Sequence, residues 1–282
     1  MRLTIRDLKE MKSRAEKIVM MTAYDYTSAR ILEQAGIPIL LVGDSLGQWV
    51  LGYDSTVPVT MEEMVHHTKT VVRGTQKCHV VGDLPFMSYQ VGPAEAMRNA
   101  GRLLKEAGAQ SVKLEGGRHA ADTVYQIVES GIPVMGHVGL MPQTVNQLGG
   151  YQVQGKTSRA AIEVIEDARS IEDAGAYAIV LECVPRQLAA MITERVSIPT
   201  IGIGAGPNCD GQIQVFHDLL GLLTDFTPRH TRRYADLAIA VGEAVACYAA
   251  EVRDGTFPSD KESYAMDEKI LRELIGQLTN PA

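Results

Sequence analysis

Short Val- and Ile-rich runs recur along the 282 residues, each followed by a polar or glycine-containing turn and then a helical pattern. This alternation marks repeated βα units, because a strand covered on both faces reads as a continuous apolar run and a helix on its surface as a 3.6-residue period. The runs are Ile18–Thr22, Ile39–Asp44, His79–Asp83, Ser111–Glu115, Val134–Val138, Ala178–Glu182, Thr200–Gly204 and, more faintly, Leu219–Leu223. Eight strands spaced by about 29 residues suit a (β/α)8 TIM barrel with helical terminal additions. A doubly wound sheet is the main rival. Ala35-Gly36, Ala107-Gly108, Ser130-Gly131 and Ala174-Gly175 precede strands and fit helix C-caps, which favours the barrel.

No low-complexity linker divides the chain, so residues 1–265 read as one catalytic domain with its C-terminal helices and 266–282 as a helical extension. The last third is helical: Asp236–Val252 is Ala-rich and amphipathic, Asp254–Pro258 interrupts it, and Met266–Leu278 forms a final charged helix. Thr60 with Glu63 makes a capping box ahead of a helix that carries the adjacent His66 and His67. Two neighbouring helix positions point about 100° apart, so surface or packing roles suit these histidines better than a shared metal. With 27 basic and 34 acidic residues the net charge is -7, which offers no field for nucleic acid or an anionic membrane. A small-molecule partner is expected. The start lacks a signal-peptide core and no run reaches the length of a membrane span, so a cytoplasmic location is expected. Cys78, Cys183, Cys209 and Cys247 are scattered without a Cys-x-x-Cys pair and read as reduced thiols.

The chemistry lies in what ends the strands: Asp44, Asp83, Lys113 with Glu115, His137 and Glu182. In a barrel those ends form one face, the usual active-site mouth. Any one of these residues could simply cap the next helix, but five coincidences argue for a site. Three carboxylates in one mouth repel one another unless a cation intervenes, and hard oxygen ligands with open positions suit magnesium better than zinc. Asp44, Asp83 and Glu115 could hold that ion directly or through water, leaving room for a 2-oxo acid, while Lys113 neutralises a carboxylate. Glu182, flanked by apolar residues, is the better candidate base, with a buried ion pair as its plainer role. His137, between Gly136 and Gly139, either approaches a ligand or is a core histidine satisfied by a carbonyl.

Two glycine patterns point elsewhere. Gly202–Gly206 lacks the last glycine of a dinucleotide fingerprint, Pro207 standing in its place. Gly150–Thr157 matches the P-loop spacing Gly-x4-Gly-Lys-Thr before a helix starting near Ser158, so a nucleotide-binding protein is the alternative from a different class. Against it, the nearest apolar strand ends by Val138 and the stretch from Pro142 to Gly149 is loop-like.

Several longer motifs occur in order: Thr22-Ala23-Tyr24-Asp25-Tyr26, Val42-Gly43-Asp44-Ser45-Leu46-Gly47, Gly52-Tyr53-Asp54-Ser55-Thr56, Asp83-Leu84-Pro85-Phe86-Met87, Val112-Lys113-Leu114-Glu115-Gly116-Gly117, Gly136-His137-Val138-Gly139-Leu140, and Gly202–Gly206 with Asp210-Gly211-Gln212. Together, over about Thr22 to Tyr264, they resemble the ketopantoate hydroxymethyltransferase family. The resemblance implies a magnesium-dependent barrel enzyme, often decameric, that transfers the one-carbon unit of methylene-tetrahydrofolate to 2-oxoisovalerate in pantothenate synthesis. It implies Asp44 and Asp83 as magnesium ligands, Glu115 as a further ligand through water, Ser45 and Lys113 as contacts to the oxo acid, and Glu182 as the proton acceptor, with His137 beside the substrate. It also accounts for Gly149–Gly155 as a loop of the family. The nearest enzymatic alternative is a magnesium-dependent oxo-acid lyase or mutase resembling isocitrate lyase or phosphoenolpyruvate mutase, which uses the same enolate logic. A noncatalytic oligomeric scaffold is a third option, raised by the C-terminal extension.

Overall fold

Eight parallel strands pair in chain order, and the last pairs with the first to close a barrel. The computed structural model describes residues 2–150, 152–223 and 228–279. The strands are β1 (Ile18–Thr22), β2 (Ile39–Val42), β3 (His79–Asp83), β4 (Ser111–Glu115), β5 (Val134–Gly139), β6 (Ala178–Glu182), β7 (Thr200–Ile203) and β8 (Gly211–Gln214). The helices among the described residues are α1 (Ile5–Ser13), α2 (Tyr26–Gln34), α3 (Leu46–Trp49), α4 (Met61–Gly74), α5 (Pro93–Lys105), α6 (Ala121–Glu129), α7 (Val145–Leu148), α8 (Ser158–Asp173), α9 (Arg186–Arg195), α10 (Phe216–Leu220), α11 (Leu237–Asp254) and α12 (Glu268–Thr279). This is the expected (β/α)8 barrel. The helix-start reading at Thr60 holds, since its hydroxyl accepts from Glu63 N and Glu63 reaches back to Thr60 N. His67 on that helix packs with Nδ1 2.6 Å from Tyr24 O.

Two apolar cores follow from the two-residue period of each strand. Ile18, Met20, Ile39, Leu41, Val81, Met135, Val180, Ile201 and Ile213 fill the barrel interior, and Leu8 and Met11 of α1 close its lower end. Leu40, Val42, Val80, Val112, Leu114, Ile179 and Leu181 face outward beneath the helices. On β4 the alternation separates Val112 and Leu114, packed outside, from Ser111, Lys113 and Glu115, buried on the other parity. Each barrel strand thus stays anchored by its outward apolar residues while its upper inward positions are free to be polar.

The eighth strand corrects the sequence reading. Leu219–Leu223 is not a strand: Phe216–Leu220 is α10, and β8 lies upstream at Gly211–Gln214. Its Gly-Gln-Ile-Gln sequence hides a strand because Ile213 is its single apolar residue, while Gln212 is exposed. What holds it is backbone pairing to both β1 and β7. Gly211 permits this closure, since a Cβ there would sit 2.3 Å from Ile18 O and 2.7 Å from Ile18 Cβ.

The P-loop alternative also fails. Gly150 follows α7, not a strand, and β5 has already ended at Gly139. Thr157 caps α8, its hydroxyl accepting from Ala160 N, and Lys156 is exposed; Tyr151 lies outside the described residues. Gln154 N instead donates to Cys183 O, which seats this loop beside the end of β6. The four cysteines are free thiols. No described helix is long and apolar enough to cross a membrane.

Candidate active site

Strand register assembles the polar residues at the upper barrel mouth. Asp83 lies opposite Lys113, Glu115 opposite His137, and Gly139 opposite Glu182. All seven residues singled out from the sequence, Asp44, Ser45, Asp83, Lys113, Glu115, His137 and Glu182, line one cavity of about 690 Å³.

At its acidic end the Lys113 ammonium donates to both Asp83 oxygens, at 2.8 and 2.7 Å, and stands 4.0 Å from Glu115 Oε1. Burial alone would push the Lys113 ammonium towards its neutral form, but Asp83, Glu115 and Asp44 outweigh it and hold the charge above its usual range. Asp44 N donates to Asp83 Oδ2 at 3.3 Å, so the two aspartates are neighbours. Burial, reinforced by repulsion from Asp83, raises the Asp44 carboxyl well above its ordinary value. His137 stands between two carboxylates, Nδ1 3.5 Å from Glu115 and Nε2 3.3 Å from Glu182, as ion-pair contacts and not well-aligned hydrogen bonds. Burial opposes the imidazolium, yet the carboxylates on either side prevail and lift its pKa to about 9. At neutral pH it is therefore a second buried cation.

Four carboxylates, Asp44, Asp83, Glu115 and Glu182, face two cations in this space. Burial and Asp83 together disfavour the ionised Asp44 carboxyl, and a bound divalent cation would reverse that by supplying the opposite charge beside it. Among the described residues no three acidic, imidazole or thiol side chains converge as a ready ligand set. The donor chemistry still fits magnesium, which keeps several waters and takes one or two carboxylates. Asp44 Oδ2 accepts from Gln143, while Oδ1 accepts no hydrogen bond among the described residues and is left for such an ion.

The sequence reading counted ionisable strand ends and so passed over the amide and phenols that hold them. Gln143, buried just after β5, donates from Nε2 to Asp44 Oδ2 (2.8 Å) and Leu84 O (2.9 Å), and from its backbone N to Glu115 Oε2 (3.1 Å). Its Oε1 accepts from Tyr89 OH at 2.7 Å, and that hydroxyl also accepts from Glu115 N. Tyr24 OH lies 2.8 Å from Ser45 Oγ, fixing the serine at the rim.

A closed (β/α)8 barrel with a buried acid–lysine–histidine cluster lining a cavity at its upper mouth has the make-up of a barrel enzyme that takes a small-molecule substrate. The family model for ketopantoate hydroxymethyltransferase matches residues 2–260. The chain is 62% identical over 274 residues to 3-methyl-2-oxobutanoate hydroxymethyltransferase of Dehalococcoides mccartyi, covering 97% of both chains. It is 59% identical to the enzyme of that name from Chloroflexus aurantiacus, over 98% of both. Among solved structures, 2,3-dimethylmalate lyase of the phosphoenolpyruvate mutase/isocitrate lyase superfamily superposes with a TM-score of 0.59 at 18% identity, covering 99% of this chain and 97% of that one. Phosphonopyruvate hydrolase in complex with oxalate and Mg++ gives 0.59 at 14% identity, covering 98% and 97%. These two share the fold. The chain belongs to the ketopantoate hydroxymethyltransferase family and is a one-carbon transferase of pantothenate synthesis; the lyases and mutases are its structural relatives.

Proposed function

We propose that the chain moves the one-carbon unit of methylene-tetrahydrofolate onto C3 of 2-oxoisovalerate, with magnesium at the Asp44–Asp83 pair. The observation that carries this reading is that Glu182 faces the same cavity as the neighbouring buried carboxyls of Asp44 and Asp83. Magnesium there would act as a Lewis acid on the oxo acid and make its C3 proton removable. Asp44 and Asp83 would hold the ion, with Glu115 reaching it through water. Lys113 and Ser45 would meet the carboxylate and keto oxygens of the substrate. The Glu182 carboxylate takes the C3 proton, and the resulting enolate carbon bonds to the donor's one-carbon unit; water supplies the hydroxyl oxygen, both carbon–nitrogen bonds of that unit break, and the C3 proton and one water proton pass to the two nitrogens as tetrahydrofolate leaves. His137 keeps Glu182 aimed, since the imidazolium contacts it directly. Mg++ in the related phosphonopyruvate hydrolase supports the choice of metal.

We also assign catalysis to residues 1–265, with 266–282 as an extension, and place the enzyme in the cytoplasm as a homo-oligomer. The test is exchange of the C3 proton of 2-oxoisovalerate in deuterated water, followed by NMR. Wild type should exchange only with magnesium, and Glu182→Gln should lose that exchange by at least about 100-fold. A wild type that exchanges nothing, with or without tetrahydrofolate, overturns the reading.

A further inference from the structure

The cavity is too large for the oxo acid alone. 2-Oxoisovalerate has eight heavy atoms, and even at the roughly 30 Å³ that liquid water takes per molecule these would fill only about 240 Å³. More than half of the 690 Å³ is left for a second ligand. The same cavity is lined, with Trp49, Val215 and Pro228, by a carboxylate outside the acidic cluster: Asp218, in the first turn of α10. It is only 6% exposed, and no described residue donates a hydrogen bond to its side chain. Burial lifts its pKa to about 6, against the pull of the Arg233 charge. A buried carboxylate left in this state is an acceptor waiting for donors.

The oxo acid has none to give, since its carboxylate and ketone only accept. Resting on the proposed reaction, the donor co-substrate is the other occupant, and its pterin carries an N3–H and a 2-amino group side by side on one edge. That edge matches the two oxygens of a carboxylate as a pair of parallel, charge-assisted hydrogen bonds. We propose that Asp218 is the residue that recognises the 2-amino-4-oxo-pyrimidine edge of the folate co-substrate. Asp218 and Glu182 line the same cavity, so a pterin held at Asp218 shares it with the oxo acid.

The experiment measures binding of tetrahydrofolate, and separately of 2-oxoisovalerate with magnesium, to the full chain by calorimetry. Asp218→Asn, nearly isosteric, should weaken tetrahydrofolate about 10- to 100-fold while 2-oxoisovalerate binds as in wild type, which also certifies the fold. A 2-desamino tetrahydrofolate should lose a similar factor on wild type and lose little on Asp218→Asn. Equal tetrahydrofolate affinity in the two proteins overturns the Asp218 assignment alone. A wild type that binds 2-oxoisovalerate but not tetrahydrofolate overturns the assignment together with the donor reading. Guanosine monophosphate shares the same donor edge, and its binding as tightly as tetrahydrofolate would overturn the folate assignment.

Discussion

Gln143 illustrates how an uncharged residue can govern a charged site. Its side chain joins Asp44, Leu84 and Tyr89, and its backbone joins Glu115, so one residue placed after β5 links Asp44 after β2, Leu84 after β3 and Glu115 at the end of β4. Truncation would leave a buried carboxylate oxygen, a carbonyl and a phenol without this partner. Gln143→Ala should therefore lower stability by about 2–3 kcal/mol, read from the denaturant midpoint without metal; an unchanged midpoint would show that Asp44 does not depend on the amide. The residues legible in the sequence were those whose charge ends an apolar run: Asp83, Lys113, Glu115, His137 and Glu182 all occupy inward positions where a strand has no business being polar without a reason. Gln143 and Tyr89 were not legible, because nothing in their neighbourhood says that a neutral side chain is turned into a barrel. Asp218 was hidden for a different reason: it precedes a leucine run that competes with the true eighth strand for attention.

At the scale of elements, fold and site meet at the ends of β5 and β6. Gly139 has a φ of 95°, and a Cβ there would stand 2.3 Å from Glu182 O and 2.8 Å from Val184 Cγ1. Leu140 N donates to that same Glu182 carbonyl. The strand can leave the barrel this tightly only with glycine, and the backbone of the proposed base is what it passes. Gly139→Ala carries about 1–3 kcal/mol of backbone strain before any clash is counted, and relief must move Glu182. The variant should fall in denaturant midpoint and lose C3 exchange together; loss of stability with exchange intact would show that Glu182 tolerates the shift. Seven strands were legible as apolar runs. The eighth was not, since barrel closure lets a strand with one inward isoleucine and a close-packed glycine stand on its hydrogen bonds to two neighbours.

The whole molecule carries apolar surface that a single chain does not cover. Val19 of β1 is 47% exposed and pairs with exposed Gln212 of β8, whereas the outward apolar residues of β2 to β4 are buried under helices. Among the described residues that follow β8, α11 does not cover this seam: it has no buried residue, and Ile239, Val241, Val245 and Tyr248 all face solvent, with Val245 59% exposed. On α12, Ile270, Leu271, Leu274, Ile275 and Leu278 are exposed as well. An 18-residue helix this rich in alanine and valine has little reason to stay folded in water by its own polar face, and contiguous apolar patches of this kind mark association surfaces. A second copy offers both the uncovered barrel seam and an identical pair of helices, which makes self-association the economical solution. Val245→Asp places a charge in that surface without touching the barrel mouth. Wild type should sediment as a multiple of its 30.6 kDa chain, and Val245→Asp should shift to smaller species with its far-ultraviolet dichroism preserved. A wild type that sediments as a monomer would leave α11 and α12 bare in solution and remove the reason for the proposed oligomer.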